Sequence, residues 1–67
     1  MYRLKCELKN APKKEPYYFV MFFGTTTARY STNKDMAYPF DYNLEASKVG
    51  DQLLERGQIL SFSVEED

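Results

Sequence analysis

The sequence predicts an α+β domain: a four-stranded mixed sheet in strand order 3-2-1-4, with one helix packed on one face and elements running β-β-β-α-β. Three observations carry this. Residues 2–8 and 58–65 alternate apolar and polar side chains, residues 17–23 form an unbroken apolar and aromatic run, and residues 46–54 carry an apolar stripe at helical spacing.

In the first strand Tyr2, Leu4, Cys6 and Leu8 fall on one side and Arg3, Lys5 and Glu7 on the other, the pattern of a half-buried strand with one wet face. Pro12 and Pro16 bracket Lys13, Lys14 and Glu15 and mark an exposed loop. The run at 17–23 has no wet side, as in a central strand covered on both faces. Gly24 and Thr25 predict a tight hairpin into a third, polar, β-branched edge strand over 25–32. An aromatic connection follows, with Met36, Tyr38, Pro39, Phe40 and Tyr42.

Asn43 reads as a helix N-cap, with Glu45 in the first turn at the positive end of the dipole. Ala46, Val49, Gly50, Leu53 and Leu54 form one buried face, and Gly57 is placed as the left-handed residue that stops the helix, giving a span of 44–56. The last strand puts Leu60, Phe62 and Val64 on one face and Ile59, Ser61 and Ser63 on the other, and ends in the acidic Glu65, Glu66 and Asp67. A right-handed crossover through the helix would return this strand parallel to the first, which makes the predicted sheet mixed.

The 67 residues allow one domain, spanning 1–67. Net charge is −1, but it is segregated: residues 1–34 hold seven basic and two acidic side chains, residues 35–67 two basic and eight acidic. One cysteine and no histidine exclude an internal disulfide, the usual Cys/His zinc site and nucleophile systems that need His. The three glycines are too far apart for a phosphate loop, and Asp51 and Glu55 read as a solvated helix face. Cys6, on the apolar side of its strand, reads as a small buried hydrophobe. No cofactor, metal or catalytic residue is expected. The first residues lack the apolar core of a targeting segment, and no apolar stretch approaches the ~20 residues of a membrane span, so a cytoplasmic protein with a reduced thiol is the expectation.

One helix covers one face of the sheet, whereas the second strand is apolar on both. Either Tyr17, Phe19, Met21 and Phe23 meet the helix, or Tyr18, Val20 and Phe22 do. The remainder needs the aromatic connection, a second copy of the chain in a sheet-on-sheet homodimer, or another partner. The candidate binding surface is Tyr18, Phe22, Tyr30, Tyr38, Phe40 and Tyr42. Candidate basic contacts are Arg3, Lys5, Lys13, Lys14 and Arg29; candidate acidic contacts are Glu55, Glu65, Glu66 and Asp67.

The reading that follows is a small non-catalytic protein-binding module, an inhibitor or regulator. In format, though in no motif, the chain is similar to small accessory proteins of phages and mobile elements that act by binding a host component. The alternative is nucleic-acid binding through a basic, aromatic sheet face that stacks bases and holds phosphates. Near-zero net charge and the lack of a ribonucleoprotein-type motif weigh against that alternative.

Overall fold

In the computed structural model, which describes residues 1–11, 15–24 and 27–66, the chain forms β1 (Tyr2–Leu8), β2 (Tyr17–Phe23), β3 (Thr27–Ser31), a 3-10 turn (Lys34–Met36), α1 (Asn43–Glu55) and β4 (Ile59–Glu66). The strands make one sheet in the order β3-β2-β1-β4. The predicted element order and strand order are both present. The predicted hairpin residue Thr25 and the loop lysines Lys13 and Lys14 lie outside the described residues, as does Asp67.

The sheet is antiparallel throughout rather than mixed, because β4 runs opposite to β1. The reason lies in the connection. β3 ends at the same end of the sheet as β1, and the extended segment after it travels back until Phe40 pairs with Tyr2. The helix then makes the return journey, so β4 starts where β1 ends. The crossover rule governs parallel connections, and here a second, extended leg cancels the displacement that the helix produces.

That extended leg enters the sheet. Tyr2 N–H donates to the Phe40 carbonyl at 2.8 Å and Phe40 N–H to the Tyr2 carbonyl at 2.9 Å, while Tyr38 N–H donates to the Phe19 carbonyl at 2.9 Å. β1 and β2 pair at Lys5 with Tyr18 and at Cys6 with Tyr17, and beyond that point residues 38–40 occupy the space between them. Backbone groups of both strands that would otherwise be buried without partners are thereby satisfied.

The core lies between the sheet and α1: Leu4, Cys6, Phe19, Phe40, Ala46, Leu53 and Ile59. α1 buries Ala46, Gly50 and Leu53 of the predicted stripe, with Val49 half-buried and Leu54 exposed. Its N-cap is Tyr42, one residue earlier than expected, and its cap makes no side-chain hydrogen bond. Asn43 is instead the first helical residue, and its Oδ1 accepts from the Ser47 hydroxyl at 3.2 Å. The C-terminus closes as the sequence implies: Gly57 takes φ +72°, its N–H donates to the Leu54 carbonyl, and Gln58 N–H donates to that of Leu53.

Two bulges reassign side chains that strict alternation misplaces. In β2 the pairing passes from Phe19–Tyr30 to Met21–Arg29, leaving Val20 as the extra residue. Phe19 and Phe22 consequently share the helix-side core, edge to face at 5.1 Å, so neither of the two alternating registers holds along the whole strand. In β4 a shift at Leu8 and Ile59 turns Ile59 into the core and leaves Leu60 exposed, the reverse of the expected pattern. Gly50 is where helix and sheet come closest, since a Cβ there would lie 2.6 Å from the Phe62 ring.

Candidate protein-binding surface

The face of the sheet away from α1 carries Arg3, Lys5 and Glu7 of β1, Tyr18 and Met21 of β2, Arg29 of β3, and Ser61, Ser63 and Glu65 of β4, as their cross-strand pairing requires. Its centre is an ion cluster. Glu65 receives Lys34 Nζ at 3.2 Å and Lys5 Nζ at 3.7 Å, and the Tyr18 hydroxyl donates to the same carboxylate at 3.3 Å. The hydrogen bond from Lys34 is the main influence holding the Glu65 carboxyl below its usual range, helped by the charge of Lys5 and the Tyr18 hydroxyl. Lys34 arrives from the 3-10 turn, which the Asn33 side chain opens by accepting from Asp35 N–H at 3.0 Å.

The aromatic connection is therefore only partly a lid. Its 3-10 turn packs against β2 and sends Lys34 onto the open face, but Phe40 crosses to the other side and stacks on Phe19 at 6.0 Å. Phe40, at 4% exposure, is a core residue and not a contact residue, and Tyr18, at 7%, is likewise buried. Phe22 and Tyr30 are half-buried on the helix side. Arg56 lies over the Phe22 ring at 5.4 Å, and the Tyr30 hydroxyl donates to Gln58 Oε1 at 3.2 Å. Of the six aromatic candidates, Tyr38 and Tyr42 are the exposed ones.

The basic candidates do not form an open stripe. Lys5 is paired with Glu65, and Arg29 lies over the Phe23 ring at 5.5 Å. Arg3 is half-buried beside Glu65, its partner across β4. Among the acidic candidates Glu65 is engaged in the cluster, while Glu55 and Glu66 are exposed at the C-terminal ends of α1 and β4, toward opposite ends of the sheet. Cys6 is buried, and its burial pushes the thiol up to about 12, which makes it inert as a nucleophile at neutral pH.

What the structure does gather is apolar. Phe40 pairs with Tyr2, so Met1, Tyr38, Tyr42 and Leu44 all lie near the start of β1; β2 runs antiparallel and delivers Met21 and Phe23 to the same end. All six are exposed, Phe23 at 61% and Tyr42 at 68%. Among the described residues these are six of the nine large apolar side chains left in solvent. Tyr38 and Tyr42 are legible from the sequence, but the other four are not. Leu44 is visible only as a leucine off the helical stripe, and the exposure of Met21 depends on the bulge at Val20.

At the opposite end a half-open groove of about 610 Å³ is lined by Lys5, Glu7, Glu15, Pro16, Leu60 and Ser61 among others. It mixes both signs of charge with no converging set. Among the described residues no three acidic or thiol side chains come together as metal ligands, and no helix is long and apolar enough to cross a membrane. No family of known proteins matches the chain, and neither a curated protein nor a solved structure is significantly similar to it.

Proposed function

We propose that this chain is a non-catalytic protein-binding module, an inhibitor or regulator in the style of small phage or mobile-element accessory proteins, acting in the cytoplasm through its apolar end. The supporting observation is the concentration of Met1, Met21, Phe23, Tyr38, Tyr42 and Leu44 at one end of the sheet. Patches of this kind on small soluble folds mark interaction sites, and Tyr, Phe and Met are the residue types enriched there. Methionine adds adaptability to a partner's contour.

Protein is favoured over nucleic acid by what surrounds the patch. Asp41 and Glu45 are exposed beside it, Lys5 and Lys34 both engage the Glu65 carboxylate, and Arg29 is stacked over the Phe23 ring. Phosphate binding needs free cations and a distinctly basic surface.

The test is capture from the native host with Phe23→Ser and Tyr42→Ser as controls. Both side chains are largely exposed, so both variants keep the wild-type melting temperature. A protein retained by the wild type and lost from both variants supports the reading. Retention unchanged in both variants, or salt-sensitive binding to a generic oligonucleotide, overturns it.

A further inference from the structure

The two edges of the sheet are built differently. β3 ends one side with five residues and a charged Arg29 at its centre. β4 ends the other with eight residues and no charge from Ile59 to Val64. Charge, proline, brevity and bulges are the devices that keep sheet edges from pairing; β4 has neither charge nor proline over that stretch, and its ladder is regular from Ser61 to Glu66, the bulge lying at Leu60.

Which backbone groups β4 presents follows from the pairing. Tyr2 directs its N–H and carbonyl to Phe40, away from β4. In an antiparallel ladder these directions alternate, so Arg3, Lys5 and Glu7 bond to Glu65, Ser63 and Ser61. Phe62, Val64 and Glu66 consequently aim their backbone N–H and carbonyl groups outward from the sheet. Beside this edge lies one flank of α1. Gly50 rests on Phe62 while Arg56 reaches β2, so the helix surface on the β4 side is the one carrying Ser47 and the exposed Leu54, roughly 40–60° round from Gly50.

We propose that two copies of the chain pair antiparallel along the outer edges of β4, about a two-fold axis at Phe62, to form one eight-stranded sheet. The sequence around that point is close to self-complementary. Leu60-Ser61-Phe62-Ser63-Val64 places Leu60 opposite Val64 of the second copy and Ser61 opposite its Ser63. Charge selects the direction. Parallel pairing would set Glu65 and Glu66 beside their own copies, whereas antiparallel pairing sends each acidic end to the Gln58 end of the other chain. There Lys9, which lines the same depression as Gln58, supplies the opposite charge. The edge is separate from the apolar end, so this inference stands or falls independently of the function proposed above.

Sedimentation equilibrium of the full chain between about 1 μM and 1 mM, together with amide hydrogen exchange, tests it. A dimer is expected, with exchange at Phe62 and Val64 slowing as concentration rises. Leu60→Lys, at an exposed position, raises the dissociation constant at least about tenfold, while Thr27→Lys on β3 and Phe23→Ser at the apolar end leave it unchanged. A monomer over the whole range overturns the proposal. So does a dimer insensitive to Leu60→Lys, or one lost on Thr27→Lys or Phe23→Ser; loss on Phe23→Ser alone shows that the copies meet at the apolar end.

Discussion

The two faces of this sheet solve the same problem in different ways. The helix side is closed by shape: Leu4, Leu53 and Ala46 have no solvent exposure, and the helix comes so near that only hydrogen fits at Gly50. The far side is closed at its centre by charge, with Tyr18 held beneath a carboxylate that two lysines share. Packing in a dry core is sensitive to single methylenes, whereas ion pairs in contact with water contribute little. A small domain that has one helix to spend thus places nearly all of its stability on one face and leaves the end of the sheet free for contact.

The largest expected effect is accordingly on the helix side. Leu53→Ala removes a fully buried side chain and is expected to cost about 3 kcal/mol, read as the shift in urea midpoint at constant slope. In a domain this small, that is a large fraction of the whole. A variant retaining wild-type stability would break the contrast between the faces.

Gly50→Ala should come next. Alanine favours helix by about 1 kcal/mol over glycine in an open position, but here its Cβ meets the Phe62 ring at 2.6 Å. A net loss of about 1–2 kcal/mol is expected. Thermal melts of Gly50→Ala with and without Phe62→Leu check it, because the smaller side chain should recover part of the loss attributable to the clash.

Alkali should also act on the helix side. Burial raises the Cys6 thiol from 9.0 to about 12, and burial followed by the neighbouring Cys6 raises the Tyr30 phenol from 10.0 to about 12. Both groups hold their protons more tightly folded than unfolded. Their contribution is therefore intact below pH 9 and is lost as pH climbs from 9 toward 12. Denaturant midpoints across that window check the sign, and a thiol reagent at pH 8 should modify Cys6 only at the rate of unfolding.

Glu65→Gln should have the smallest effect, about 0.5 kcal/mol, because the carboxylate and its lysines remain in contact with water. Its carboxyl is held below the ordinary range, so the stabilisation is present above that range and disappears as acid carries the pH down through the lowered value. Added salt should shrink the difference from wild type, and a loss as large as that of Leu53→Ala would show that the far face carries more of the fold than its exposure implies.

By itself the sequence determined what depends on neighbours along the chain. Period-2 alternation defined β1, the apolar run defined β2, and the Ala46-to-Leu53 stripe with its glycine stop defined α1, because side-chain periodicity and left-handed glycine geometry are local properties. The strand order is also reached from an antiparallel meander with a helix crossing back over it, although the parallel return which that assumes is not the one the chain makes. Only the tertiary structure decided the direction of β4, the two bulges, the insertion of residues 38–40 between β1 and β2, and the meeting of Glu65 with Lys5 and Lys34. Each of these joins residues far apart in the chain. A one-residue bulge exchanges the faces of everything beyond it without changing a single side chain. The insertion of residues 38–40 likewise carries Phe40, which reads as a loop aromatic at a binding surface, into the core, while the bulge at Val20 turns Met21 and Phe23, which strict alternation would keep on the face of Phe19, to solvent at the end proposed to bind.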